Sequence, residues 1–316
     1  MAKSEGIDIQ LLKKRVLWSV GIVFGIIFCL FIFLSNRVVK SFLDATLGAY
    51  IIADTIYEIK TTYFSRGRAT PNTDMPDNDE DTNHQTDNNK DFALPAIKSD
   101  DQIIKHTAYT LAYVEEYEQA KWVAYKLEQK NLDRGKNSRE GESFKPDPSV
   151  NTGSALPSDY SKSGYDRGHL APAGDFNYDK KLLTETFFMS NMSPQKPELN
   201  RGKWNELEQQ VRYWLRFDKE LYIVSGPIFS DKMKRIGKKN KISVPPAYFK
   251  IILDIKNKKA IAFIMPNEVF HDKIQNYIVS IDKIEAKTGI DFFPQLSKDK
   301  VLEKKLESSE TPEGWF

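Results

Sequence analysis

The chain has 316 residues, 40% of them hydrophobic, enough to build a core in one large domain or two small ones. Its formal net charge is +2, but residues 74–91 alone carry −6, so the remainder carries +8, a balance that suits a polyanionic partner. A single cysteine, Cys29, excludes an intrachain disulfide, so stability rests on packing in either a reducing or an oxidising compartment.

After a basic leader at residues 1–15, Val16 to Leu34 is uncharged and rich in Ile, Phe, Val and Leu. As a helix it spans roughly 28 Å, close to a bilayer's hydrocarbon core. The run predicts a single-pass transmembrane anchor at 16–34, with the lipid bilayer as a partner. Lys13, Lys14 and Arg15 precede it and Arg37 and Lys40 follow. The bias places residues 1–15 in the cytoplasm and the C-terminal part in the periplasm or outside. A cleaved signal peptide fits less well, because the run is long and no Ala-x-Ala site follows closely.

Residues 35–65 differ. Between Ser41 and Tyr63, apolar positions alternate with Asp44, Asp54 and Glu58, which predicts an amphipathic helix. It either lies on a membrane surface, pairs with another copy or covers the following domain. Residues 66–95 are rich in Asp, Asn, Thr and Pro and read as a disordered acidic tether, in which His84 is part of a solvated charge run.

From 96 to 316 the sequence is globular. His106–Val114, Trp122–Lys126, Leu221–Ser225, Tyr248–Ile255 and Ala260–Met265 are apolar runs that predict strands, and Tyr165–His169 predicts a short one. Leu199–Phe217 shows helical spacing at Leu207, Val211, Trp214 and Leu215, with Trp204 and Trp214 in the core. Ile274–Thr288 predicts a closing helix stopped at Gly289. Helices and strands are interspersed without a regular βαβ rhythm, which argues an α+β fold with a mainly antiparallel sheet.

Two clusters in this region carry chemistry. One is Asp166-Arg167-Gly168-His169. The other is Asn191-x-x-Pro194-Gln195, Leu199-Asn200-x-Gly202-x-Trp204, Leu207-Glu208 and Arg212. They supply a general base, an oxygen ligand for a hard cation and a cation for a phosphate, the inventory of metal-assisted phosphodiester hydrolysis. A neutral imidazole takes a proton from water near pH 7, and His169 is the candidate. His106 and His271 have no such neighbours and read as ordinary histidines. Asn200 offers a hard amide oxygen suited to Mg²⁺ or Mn²⁺; helix capping is its other reading, and both can hold. Glu208 and Arg212 can share a helix face with Asn200, or form a plain i,i+4 surface pair.

The motifs, in this order, resemble the DNA/RNA non-specific endonucleases, which include secreted sugar-nonspecific nucleases and mitochondrial endonuclease G. The resemblance runs from about His106 to about Leu296. It implies a ββα-metal site, in which a strand pair and one helix clasp the cation. It also implies that Glu208 holds a water of the cation's shell, that Arg212 stabilises charge on the phosphate or leaving oxygen, and that a 5′-phosphate is left. Arg167 is expected on a substrate phosphate, as is Arg139 of Arg139-x₄-Phe144-x-x-Asp147-Pro148. Asp166 and Asn191 are expected to position their neighbours. Lys232, Lys234, Arg235, Lys238, Lys239 and Lys241 form a basic loop that either tracks a nucleic-acid backbone or is simply solvated.

The expectation is therefore a membrane-anchored, metal-dependent endonuclease acting on DNA and RNA with little sequence preference. Some members of the resembling family dimerise, so a homodimer is an expected assembly. A non-catalytic nucleic-acid-binding surface protein on the same fold is the alternative, and a narrower phosphodiesterase or toxin is a third reading.

Overall fold

In the computed structural model, residues 94–132, 134 and 136–316 are described. The expected segments 1–15, 16–34 and 35–65 lie outside them, as does nearly all of 66–95. The last part of that tether belongs to the fold: Leu94 is buried and the Ala96 N–H donates to the Asp291 carbonyl at 2.8 Å.

The strands follow the apolar runs. They are β1 (Gln102–Lys105), β2 (Thr110–Val114), β3 (Gln119–Glu128), β4 (Asp166–His169), β5 (Met192–Gln195), β6 (Glu220–Ile228), β7 (Arg235–Ile236), β8 (Ile242–Ser243), β9 (Ala247–Asp254), β10 (Lys259–Pro266) and β11 (Ile278–Val279). Seven form one sheet in the order β1-β2-β3-β6-β9-β10-β11, with every neighbour antiparallel. The pairs β4-β5 and β7-β8 stand apart as two small antiparallel sheets. The α+β class with a mainly antiparallel sheet is what the sequence predicts.

The helices are α1 (Lys180–Glu185), α2 (Asn205–Trp214), α3 (Ile281–Thr288) and α4 (Lys300–Glu307). Three local readings differ from expectation. His106–Val114 is not one strand, because a turn closed by His106 N–H to the Tyr109 carbonyl divides it into the β1–β2 hairpin. Leu199–Phe217 opens with a widened turn over Leu199–Trp204, broken at Gly202 (φ −103°, ψ −107°), before α2 begins. The closing helix starts only at Ile281, because Ser280 caps it through its Oγ and the preceding residues pair as β11.

Period-two alternation assigns the two faces of the sheet. On β9, Tyr248 and Ile252 join the core with Trp204, Leu207, Val211 and Trp214. Phe249, Ile251 and Leu253 join the opposite core with Ile281, Ile284, Phe292, Phe293 and Leu306. One face is thus covered by α2, the other by α3 and α4. Each fully buried aliphatic side chain contributes about 1.5–3 kcal/mol, so Leu207 and Val211 fix which side of α2 faces the sheet and which is left for chemistry.

Candidate active site

β4 and β5 pair in register, Asp166 opposite Gln195 and His169 opposite Met192. The chain then turns through Leu199–Trp204 into α2. Gly168 is demanded here: a Cβ would lie 2.1 Å from the Oε1 of buried Gln195. Asn191, fully buried, accepts from the Ala171 N–H and donates to the Ala171 and Thr186 carbonyls, each at 2.9 Å. Its amide is spent on the backbone just beyond His169, so it holds the end of β4 in place.

His169 sits in an aromatic slot. Phe187 meets it edge-on at 5.4 Å and Phe144 lies 5.7 Å away. The Trp204 indole N–H donates to the His169 carbonyl at 3.3 Å. Nε2 is buried and pairs with no atom of the described residues. Burial, with the positive charge of Arg139 second, lowers the imidazole pKa to about 3. The ring is therefore neutral at physiological pH, the state a proton acceptor needs.

Asp166 organises the entrance to α2. It takes a two-pronged contact from Arg201, Nε to Oδ2 and Nη2 to Oδ1, both at 2.8 Å. It also accepts from Asn200 Nδ2 at 3.0 Å. Burial pushes the Asp166 carboxyl up, but the bonds from Arg201 and Asn200 and the charges of Arg201 and Arg167 outweigh it, leaving it below its ordinary value. With its NH₂ group engaged, Asn200 is left with its carbonyl oxygen, the hard donor a divalent cation takes. The capping alternative does not describe this side chain, since it reaches back to β4 and neither the turn nor α2 has a side-chain cap.

Glu208 and Arg212 lie on α2 but do not form the i,i+4 surface pair that was their alternative reading. Arg212 Nη1 donates instead to Asp175 Oδ1 at 2.7 Å, and Asp175 also accepts from the Tyr125 hydroxyl at 3.0 Å. A glycine at 174 leaves room for this guanidinium, whose Nη1 would lie 3.2 Å from a Cβ there. Glu208 makes no hydrogen bond or ion pair among the described residues. Burial pushes its carboxyl up; the charge of Lys250 opposes this, Asp175 adds to it and Arg212 and Arg139 oppose it, with a net rise.

Lys250 is a site residue that sequence reading missed. It is 1% exposed on β9, its Nζ donates to Ser225 Oγ at 2.7 Å and lies 4.7 Å from the centre of the Trp204 ring. Burial lowers its pKa, while Glu208 and Asp175 pull the other way. A lysine at an even position of Tyr248–Asp254 was the available signal, since that register points at α2. Asp175 and Arg201 were also missed. Arg201 lies inside the Leu-Asn-x-Gly-x-Trp motif and could have been read there.

The two remaining arginines reach the site through rings. Arg167 lies 4.4 Å from the centre of Phe144 and donates to the Pro157 carbonyl at 3.3 Å. Arg139, on an exposed loop, lies 5.5 Å from the centre of Phe187. Asp147 of the same motif anchors this loop by accepting from His106 Nε2 at 2.8 Å and Ser190 Oγ at 2.5 Å. His106 also stacks on Phe188, 4.9 Å away, a structural role as expected; His271 is exposed. The six basic residues of the 232–241 loop are exposed around the β7–β8 hairpin. Lys234 and Lys196 both sit over Tyr165, at 5.4 and 4.9 Å, so the basic loop borders β4.

The family model for DNA/RNA non-specific endonucleases matches residues 88–299. The chain belongs to that family. Its members hydrolyse phosphodiester bonds in general with a divalent metal, and the chain is a nuclease of this class. It is 34% identical over 227 residues to the mitochondrial nuclease EXOG of Danio rerio, covering 66% of this chain and 65% of that protein. It is 32% identical to mitochondrial endonuclease G of Bos taurus, covering 65% of this chain and 72% of that protein. Against a nuclease of Nostoc sp. the identity is 35%, over 64% of this chain and 76% of that one. The fold matches the crystal structure of the EndoG/EndoGI complex with a TM-score of 0.62 and 29% identity, covering 69% of this chain and 93% of that one.

The relatives correct one expectation. EXOG and endonuclease G are, by name, mitochondrial nucleases rather than periplasmic or extracellular ones. Among the described residues no helix is long and apolar enough to cross a membrane. The longest α-helix among the described residues, α2, has 10 residues, about 15 Å against a hydrocarbon core of roughly 30 Å. The single-pass location with a periplasmic or extracellular catalytic domain does not stand. The Val16–Leu34 run that suggested it lies outside the described residues.

Proposed function

We propose that residues 96–316 form a metal-dependent endonuclease domain that cuts both DNA and RNA with little sequence preference and leaves a 5′-phosphate. The observation that carries this reading is the buried, unpaired Nε2 of His169 on β4, the strand whose Asp166 accepts from the Asn200 amide. His169 acts as general base and takes the proton of the attacking water. Asn200 holds the divalent cation, Mg²⁺ or alternatively Mn²⁺, which supplies charge neutralisation at the phosphate. Glu208 orients water at the site, and Arg212, braced by Asp175, stabilises charge on the phosphate or the departing oxygen. Arg167 and Arg139 bind flanking phosphates, while Asp166 and Asn191 act through the residues they hold. The basic residues beside Tyr165 extend the backbone track, which reads phosphate rather than base edges. A homodimer is part of the proposal and is tested by sedimentation.

The deciding assay incubates the full chain with supercoiled plasmid and with single-stranded RNA, in Mg²⁺ or in EDTA. Cleavage of both that EDTA stops and His169→Ala abolishes is expected. Binding without cleavage across several divalent ions would instead identify a nucleic-acid-binding module on a nuclease fold.

A further inference from the structure

The arginines of the site are held in two different ways. Arg201 and Arg212 are tied to the carboxylates of Asp166 and Asp175, which take N–H donors from them and offset their charge. Arg139 and Arg167 form no ion pair among the described residues, and each lies against an aromatic ring instead. Arg167 spends one donor, Nη1, on the Pro157 carbonyl, and its buried Nε pairs with no atom of the described residues. The rings are themselves fixed by backbone. The Glu142 N–H closes a turn onto the Arg139 carbonyl at 3.0 Å. The chain then runs beside residues 187–189, where the Lys145 N–H donates to the Phe187 carbonyl at 3.1 Å and the Met189 N–H to the Lys145 carbonyl at 2.9 Å. Phe144 and Phe187 stand 5.2 Å apart as a result, both against the His169 imidazole. Arg139, Phe187, Phe144 and Arg167 thus form one connected row, with His169 beside both rings at its middle.

We propose that Phe144 and Phe187 are positioning residues of the nuclease site: their rings hold Arg167 and Arg139 beside His169 and leave the guanidinium N–H donors free for substrate phosphates. An aromatic face attracts a cation through its quadrupole, without taking up its N–H groups as a carboxylate does. A carboxylate in the same place would occupy the planar fork that fits phosphate oxygens, as Asp166 does to Arg201. An arginine with no support would keep its donors but would lose its rotamer freedom on every binding event. The rings fix the cations before the substrate arrives. Phe144 holds the more firmly, since its partner Arg167 is half-buried and lies 4.4 Å from the ring centre. Arg139 is exposed and lies 5.5 Å from the centre of Phe187. Since this rests on the phosphate-binding roles of Arg167 and Arg139 proposed above, the same experiment tests both.

The test measures the Kd of the full chain for a short fluorescent DNA duplex in EDTA, so that phosphate contact is read without chemistry. Phe144→Leu keeps an apolar side chain and removes the π face; it is expected to raise Kd about 5–30-fold. Phe144→Tyr restores a ring and should bind within about twofold of the parent. In an Arg167→Ala background, Phe144→Leu should add less than about twofold, because the ring has no cation left to hold. Phe187→Leu and Arg139→Ala form a second cycle with a smaller expected loss, about 2–5-fold. Losses that simply multiply in either cycle overturn the proposal for that ring. Binding by Phe144→Tyr as weak as that of Phe144→Leu would overturn it too, because packing and not the π face would then be at work. If Arg167→Ala and Arg139→Ala bind like the parent, their phosphate-binding roles fail and the role of the rings fails with them.

Discussion

The two faces of the seven-stranded sheet are built for different ends. The face under α3 and α4 is closed by Phe249, Phe292, Phe293, Ile281, Ile284 and Leu306, all buried. Three carboxylates, Asp282, Glu285 and Glu307, gather at its helix joint, and on the same face the Trp122 indole N–H is buried without a hydrogen-bond partner among the described residues. The face under α2 is also apolar around Leu207, Val211 and Trp214, yet it buries Lys250 and Asp175 and sets Glu208 and Arg212 against them. Charges in an interior do not repay their desolvation by attraction alone. Their concentration on one face, against the helix that carries Glu208 and Arg212, puts the desolvation cost of buried charge there and leaves the opposite face mainly apolar.

If that division is right, substitutions on the two faces should separate activity from stability. The largest effect is expected from His169→Ala, with plasmid-nicking rates falling by about 10²–10⁴-fold while the urea midpoint stays near that of the parent. Phe292→Ala should do the reverse, costing about 3–5 kcal/mol in denaturant unfolding through the cavity it opens, with activity kept wherever the protein remains folded. Comparable loss of activity and stability from both variants would dissolve the distinction between the faces.

Lys250→Met sharpens the comparison, because it keeps the length of a buried side chain and removes only its charge. Unfolding free energy is expected to change by less than about 1.5 kcal/mol, in either direction, while activity falls by about 10–100-fold as Glu208 loses its facing cation. Full activity in this variant would leave Lys250 as a filler of the core.

The smallest effect concerns pH. The folded pKa of His169, about 3, lies below the ordinary imidazole value of 6.5. Between these values the unfolded chain binds the proton and the folded chain does not, so stability rises with pH across the window and falls as pH drops from about 6.5 towards 3. The slope from this one group is at most about 1.4 kcal/mol per pH unit. His169→Asn should flatten that part of the profile in urea titrations between pH 4 and 7, and an unchanged slope would show that His169 is not held neutral by burial.

Much of this was legible in the chain. The Asp-Arg-Gly-His and Leu-Asn-x-Gly-x-Trp motifs are short, and their members meet because β4 pairs with β5 and the chain turns directly into α2. Alternating apolar runs gave the long strands of the main sheet, since a strand with buried faces must repeat every two residues. Short pieces such as β1, β5, the β7–β8 hairpin, α1 and α4 went unread. They carry too few residues for a period to show, and their partners in the sheet or core define them.

What the sequence by itself determined is the inventory: the fold class, the general-base histidine candidate, the amide donor and the arginines. What only the tertiary structure decided is the pairing. Arg212 could have met Glu208 four residues away, but it reaches Asp175, 37 residues distant, because the bend after β4 brings that carboxylate under α2. Lys250 reads locally as one charge in an apolar strand, and becomes the buried cation of the site only when β9 slides beneath Trp204. Charge interactions are set by distance and by the exclusion of water, and both are properties of the packed chain.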